Sequence, residues 1–292
     1  MNTRKRLIST VVALTLPLVS MASHNGNHFD HGFYVGGAAG VSRLTADIDQ
    51  TVFGSSAVAE AELFTYFVGD FDASSDATTD RGMGQIQAGY AIAWEWLFVG
   101  LEVSVNGSQL SADHYHSATS ELYSSNPTAF NGFVRLTPTI NSHTNIELNN
   151  FEPVADLKLG FTLPTRTHLY ARVGAAFNTI ELHETVSFDQ FFFVPVEPHL
   201  KPRLYSQYFR VSESESVVGF RIGAGIEHRF FDRVSVALDY VHTDYDDVSL
   251  SQFEDSIIPF KAGVHDDMFQ YGASDDVDLT RDVVTLGMNY YF

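Results

Sequence analysis

Apolar side chains recur at every second position in short stretches of this chain, separated by polar and turn-forming segments. Alternation with a period of two places successive side chains on opposite faces of an extended strand. Eight stretches follow it. Gly32 to Ser42 sets Phe33, Val35, Ala39 and Val41 against Tyr34, Gly36, Ala38 and Gly40; Arg81 to Ile92 sets Ile86, Ala88 and Tyr90 against Gln85, Gln87 and Gly89. After a turn at Ala93 to Glu95, Leu97, Val99, Leu101, Val103 and Val105 alternate with Phe98, Gly100, Glu102, Ser104 and Asn106. Pro153 to Leu163 opposes Ala155, Leu157, Leu159 and Phe161 to Asp156, Lys158 and Gly160. Beyond the turn at Pro164 to Thr167, His168 to Ile180 opposes Leu169, Ala171, Val173 and Phe177 to Tyr170, Arg172 and Gly174. Ser216 to Phe230 opposes Val218, Phe220, Ile222 and Ile226 to Arg221, Gly223, Gly225 and Glu227. Past Asp232, Val234, Val236, Leu238 and Tyr240 alternate with Ser235, Ala237 and Asp239. The eighth stretch puts Val284, Leu286, Met288, Tyr290 and Phe292 on one face and Thr285, Gly287, Asn289 and Tyr291 on the other.

The connections alternate between turns of a few residues and segments of roughly 30 to 45 residues, near 43–80, 107–152, 182–215 and 246–278. An up-and-down barrel with short turns at one end and long loops at the other predicts this alternation, whereas a soluble sandwich gives no reason for it. The expected fold is therefore all-β, an eight-stranded antiparallel transmembrane up-and-down β-barrel with four long extracellular loops. Both mature termini are expected on the periplasmic side, since the strand number is even. Aromatic clusters at Leu63 to Phe67 and Phe191 to Phe193 lie within the long connections, where they extend the strands, form small hairpins or add a ninth and tenth strand.

The N-terminus changes the picture by supplying a destination. Arg4, Lys5 and Arg6 precede an apolar run from Leu7 to Val19, the pattern of a secretory signal peptide. The run is shorter than the roughly 20 residues of a membrane helix. Cleavage between Ala22 and Ser23 gives an expected division into a signal peptide (1–22), a short periplasmic His-bearing segment (23–31) and an outer-membrane β-barrel (32–292). An uncleaved anchor is the alternative. The absence of cysteine suits an oxidising envelope. With 17 Lys and Arg against 36 Asp and Glu, and three of the cations in the leader, nucleic acid is excluded as a partner.

The terminal stripe Val284, Leu286, Met288, Tyr290 and Phe292, ending on an aromatic residue, resembles the signal that the barrel-assembly machinery reads in bacterial outer-membrane proteins. Gly32-Phe33-Tyr34-Val35-Gly36-Gly37-Ala38-Ala39-Gly40-Val41-Ser42 resembles the first strand of the small outer-membrane β-barrel superfamily that contains the opacity-type proteins and the OmpA-type membrane domain. The resemblance implies integral residence in the outer membrane of a Gram-negative cell, in contact with lipid and lipopolysaccharide. It names no further partner, and a host or cell-surface ligand would be met through the acidic loops.

If the apolar faces meet lipid, the opposite faces carry Glu102, Asp156, Lys158, Arg172, Arg221, Glu227 and Asp239 inward. Eight-stranded barrels have interiors just wide enough for side chains to fill, so these charges are expected to pair as a plug; the other reading is a narrow, porin-like pore lined by the same residues. No catalytic site is assigned. His242, Thr243 and Asp244 lie close in sequence, but adjacent strand residues face opposite ways, leaving a lipid-modifying enzyme as the third reading. No cofactor and no metal site is assigned either. His24, His28 and His31 with Asp30, and His114 with His116, lack a recognised ligand spacing. The carboxylates Asp244, Asp246, Asp247, Asp266, Asp267, Asp275, Asp276 and Asp278 read as a solvated, repulsive loop surface, with loose calcium or magnesium binding as the alternative.

Overall fold

The computed structural model describes residues 29–60, 63–94, 96–119, 122–126, 132–193, 203–259 and 266–292. Among these residues twelve strands follow one another: β1 (Phe29–Glu60), β2 (Leu63–Trp94), β3 (Leu97–Gly107), β4 (Leu110–Thr119), β5 (Leu122–Asn126), β6 (Gly132–Leu148), β7 (Phe151–Leu163), β8 (Thr167–Phe193), β9 (Arg203–Phe231), β10 (Val234–Tyr245), β11 (Val248–Pro259) and β12 (Asp266–Tyr291). They build eight staves, because β3 continues into β4, β6 into β7 and β10 into β11 with two-residue breaks, and β5 takes up the register of β4 on β6. Around the wall the order is β1-β2-β3-β7-β8-β9-β10-β12, and β12 returns to β1 through pairs such as Ala39 with Leu286. All pairings are antiparallel, so the lower wall has no open edge.

Where they are described, the long connections are largely strand. β1 and β2 stay paired from Phe29 with Trp94 to Glu60 with Leu63, so 43–60 and 63–80 form one continuous ladder that includes the backbone of the Leu63 to Phe67 cluster. β8 and β9 likewise stay paired up to Phe192 with Arg203. β1 also begins at Phe29 rather than Gly32, since Phe29, Asp30 and His31 pair with Trp94, Ala93 and Ile92. The extra strands β4, β5, β6 and β11 are upper portions of staves, and the ring closes with eight.

One parity rule runs the length of each stave, and its chemistry inverts partway up. On β1, Phe33, Val35 and Val41 are exposed on the outside while Tyr34 and Ser42 are buried inside. Above Ser42 the same two faces exchange character: Leu44, Ala46 and Ile48 point inward and are buried, whereas Arg43, Asp47 and Asp49 point outward. β12 repeats this, with Val284, Leu286, Met288 and Tyr290 outside below, and Val277 and Leu279 inside above. Such an inversion is expected where a wall leaves lipid for water, since the apolar face must then turn inward. The outer apolar run on β1, Phe33 to Val41, is nine residues long, the length that crosses an outer-membrane hydrocarbon layer at about 9–11 residues. Aromatic side chains ring the short-turn end of this belt (Trp94, Trp96, Phe161, Phe230, Phe231, Phe292) and recur at its other margin (Phe151, Phe177, Tyr240).

Above the belt the closed ring divides. Hydrogen-bonded pairing of β2 with β3 ends at Gly84 with Gly107, and that of β9 with β10 ends at Gly219 with Tyr245. Beyond these points the strands form two sheets, β2-β1-β12-β11 and β4-β6-β8-β9 with β5 beside β6. Their inner faces share an apolar core that includes Leu44, Ile48, Leu110, Ile146, Ile180, Leu182 and Leu279. Gln50 joins the sheets from above, donating to Ser142 Oγ at 3.0 Å and to Glu184 Oε1 at 2.7 Å.

Candidate functional site: the charged barrel interior and the upper surface

Within the belt, charged inward side chains from six of the eight staves, β3, β7, β8, β9, β10 and β12, form one ion-pair network. Lys158 Nζ lies 2.5 Å from Glu102 Oε2, and Arg172 reaches Glu102 at 2.9 Å, Asp239 at 3.1 Å and Asp156. Arg221 links Asp156, at 3.4 Å, to Glu152, at 3.8 Å, and Arg281 caps the chain with Nη1 2.6 Å from Glu152. Lower down, Tyr291 donates to Glu227 at 2.6 Å, and the Arg229 guanidinium lies 4.1 Å from the Tyr291 ring centroid. The buried acids of this belt are Glu102, Glu152, Asp156, Glu227 and Asp239; the buried bases are Lys158, Arg172, Arg221, Arg229 and Arg281. Five against five leaves the interior neutral in a chain whose formal charge is −19. Burying charge demands this balance, because an unpaired ion in a dry interior is strongly unfavourable.

All seven charged residues assigned inward from alternation lie in this interior. The sequence reading missed Glu152, Arg281 and Arg229. It also missed the tyrosines that carry the network onto the wall. Tyr34 pairs across the ladder with Gly89, which pairs with Glu102; Tyr170 pairs with Gly225, which pairs with Asp239. In each trio the phenol lies over the glycine, and its hydroxyl donates to the carboxylate beyond, Tyr34 to Glu102 at 2.7 Å and Tyr170 to Asp239 at 2.9 Å. A Cβ on Gly89 or Gly225 would sit 2.5 Å or 2.7 Å from the tyrosine ring, so only glycine lets the ring pass. Tyr245 also lies over its facing glycine, Gly219, but donates to Glu152 on β7, which is not that glycine's ladder partner. The legible signal is a tyrosine and a glycine at facing inward positions.

The interior is packed. Glu102, Lys158 and Arg281 are each 1% exposed and Asn289 0%, whereas a water-filled lumen leaves its lining charges wet.

The remaining candidates lie away from this network or outside the described residues. Ala22, Ser23, His24 and His28 belong to the latter. Val284, Leu286, Met288, Tyr290 and Phe292 all project outward from the β12 stave. His242 Nδ1 lies 2.9 Å from Asp282 Oδ1 at the upper margin of the belt, and Tyr240 donates to the same oxygen at 2.8 Å. Thr243 is buried on the opposite face and Asp244 is exposed, so the local trio is not assembled. His114 hydrogen-bonds Ser75 across the β2–β4 seam, with its basicity lowered by burial and by His116 and His143. No group of three or more metal-ligating side chains occurs among the described residues.

The outer face of β2-β1-β12 carries like charges directly opposite one another. Asp47 faces Asp76 on one side and Asp278 on the other, and Asp49 faces Asp276. Burial and then Asp76 raise the Asp47 carboxyl above its ordinary range; a hydrogen bond with Asp247 raises that of Asp278. A carboxylate raised in the folded state binds its proton more tightly there than in the unfolded chain, so stability increases as pH falls through the folded value. Acidification from neutrality toward the ordinary aspartate value of about 3.9 should therefore slow hydrogen exchange in upper β1 and β12, after correction for intrinsic rates. Asp47→Asn should shrink that difference. The exposed Arg43–Asp80 pair at 2.7 Å works in the opposite sense, because Arg43 lowers the Asp80 carboxyl.

Comparison with known proteins places this architecture. A family profile described as "Outer membrane protein beta-barrel domain" matches residues 11–292. Among solved structures, Ail, the attachment invasion locus protein of Yersinia pestis, is similar over 88% of this chain and 99% of its own, at 12% identity and a TM-score of 0.26. OprG of Pseudomonas aeruginosa aligns over 89% and 96%, at 10% identity and a TM-score of 0.38. Neisserial surface protein A aligns over 86% and 97%, at 8% identity and a TM-score of 0.29. No curated protein matches the sequence significantly.

Proposed function

The chain belongs to the outer membrane protein beta-barrel domain family, and from that premise we propose that it is a closed, non-conducting outer-membrane barrel that holds a folded β-platform outside the cell for contact with a surface ligand. The observation that carries this reading is the pairing of a sealed interior with a built upper half. The lumen is filled by a neutral ion-pair network, and above the belt the staves continue as two sheets over an apolar core of their own. Extending a wall far past the hydrocarbon layer costs chain entropy that anchoring alone does not require. The short turns then face the periplasm and the long hairpins the exterior. The leader (1–22) is removed between Ala22 and Ser23, and the terminal stripe serves assembly.

Two measurements test this. Refolded protein in planar bilayers should give no steady single-channel steps; regular openings whose size changes in Glu102→Ala would favour the pore reading instead. Cells displaying the protein should bind host cells, phage or neighbouring envelope material, and lose that binding when the β1–β2 and β8–β9 hairpins are shortened to the belt. Equal binding by the shortened protein would remove the platform from the account. The lipid-modifying alternative has only the His242–Asp282 pair in its favour, and His242→Ala should leave lipopolysaccharide acylation unchanged.

A further inference from the structure

The two seams above the belt differ. Across the first, His114 on β4 hydrogen-bonds Ser75 on β2 at 2.9 Å. Across the second, the Asp246 amide donates to the Val218 carbonyl at 3.0 Å, and above that point β9 pairs only with β8 and β11 only with β12 among the described residues. Among the described residues, β9 thus presents an unpaired edge from Ser216 upward.

Its side chains there are unusual for their position. Glu215 faces Ile180 and Glu213 faces Leu182 across the β8–β9 ladder, and both partners are buried in the apolar core. Facing residues share one side of a sheet, so both glutamates project from its inner surface. Yet every residue from Ser212 to Ser216 is exposed, and burial resumes only at Val217. The wall is therefore open to water at this seam, with acidic side chains where the neighbouring stave has leucine and isoleucine. Asp246 and Asp247, both exposed, mark its foot.

An open edge offers a row of backbone donors and acceptors to any extended chain. The charge decides which chain. A second copy of this protein would bring the same glutamates against these and be repelled, and an acidic partner would be repelled likewise. We propose that the free β9 edge is a docking site for an extended cationic peptide segment, which adds as a strand beside β9 and sets alternate Lys or Arg side chains against Glu213 and Glu215. Side chains on one face of a strand recur every ~7 Å, and the same interval separates the two glutamates. The site deepens the surface-contact reading above and rests on it for a biological role, though not for binding by the purified protein.

The test uses the refolded full chain in lipid nanodiscs and a fluorescent peptide of about ten alternating Lys and Thr residues, the length of an ordinary strand. Binding should weaken steeply with added salt. Two further peptides carry backbone N-methyl groups, one on every Lys and the other on every Thr. An added strand presents only one of its two edges to β9, so one methylated peptide should bind at least about tenfold more weakly, a loss of about 1.4 kcal/mol, while the other binds as before. E213Q/E215Q, verified as folded by heat-modifiable gel migration, should also weaken the unmodified peptide at least about tenfold. Equal binding by both methylated peptides, unchanged binding to E213Q/E215Q, or no binding to the wild-type chain would each overturn the proposal. Intact cells separate the two readings. Peptide bound by nanodiscs but not by cells leaves the site standing and removes its outward orientation. Cell adhesion without peptide binding does the reverse.

Discussion

Arg172→Ala is expected to destabilise the folded barrel by about 3–5 kcal/mol, the cost of leaving buried charges without their counter-ion. Arg172 is the hub of the interior: its guanidinium meets Glu102, Asp156 and Asp239, which come from three different staves. Removing it leaves Lys158 on Glu102 and Arg221 on Asp156, and strips Asp239 down to the Tyr170 hydroxyl. Three carboxylates then share two cations in a space that excludes water. The expected readout is a lower midpoint in denaturant unfolding from lipid vesicles, followed by tryptophan fluorescence. Neutralising the orphaned acid should recover part of the loss, so Arg172→Ala with Asp239→Asn should be more stable than Arg172→Ala alone. The buried pairs need not stabilise the protein relative to an apolar core of the same shape. What they impose is a steep cost on breaking one partner at a time. Unchanged stability in Arg172→Ala would show that water reaches the network, and with it the sealed-lumen reading would fall.

The interior was only partly legible in the sequence, for a physical reason. Where the outer face is apolar, alternation identifies both the strand and its inward residues, which is why Glu102, Lys158 and Arg172 could be placed from pattern alone. Arg281 and Glu152 sit at the height where the faces exchange polarity. A reader who follows apolar side chains toward lipid sees the strand stop there, and both fell at the margins of segments taken for loops. The parity itself does not stop: Tyr34, Ser42, Leu44 and Ile48 are all even-numbered and all inward on β1. The structure reads as two joined amphipathic strands of opposite sense. The seams escaped detection because hydrogen-bond partners above the belt depend on how far neighbouring staves diverge, which no local pattern records. The phenol-over-glycine trios were hidden differently. A tyrosine and a glycine are unremarkable alone, and their meaning appears only when the register sets Tyr34 beside Gly89 and Glu102.

The inversion predicts opposite outcomes for one substitution made twice on the same face of one strand. Met288 and Asp276 both project outward from β12, the first in the middle of the apolar run Val284 to Phe292 and the second above the belt. Met288→Arg places a guanidinium near the bilayer midplane, where an outward-facing arginine on a barrel costs about 2–4 kcal/mol. Asp276→Arg places the same group in water beside Asp49, its cross-strand neighbour. There it replaces a like-charge contact with an opposite-charge pair, a change of about 0.2–1 kcal/mol in favour of folding. Vesicle unfolding of the two variants should therefore shift in opposite directions from wild type. If arginine were tolerated equally at both positions, the outer face would have a single environment along its length. The stave would then lie wholly in one medium, and the exchange of polarity near Ser42 and Asp282 would lose its cause. The same comparison bounds the surface available to a ligand, because only residues above the point where arginine becomes harmless can meet a partner from water.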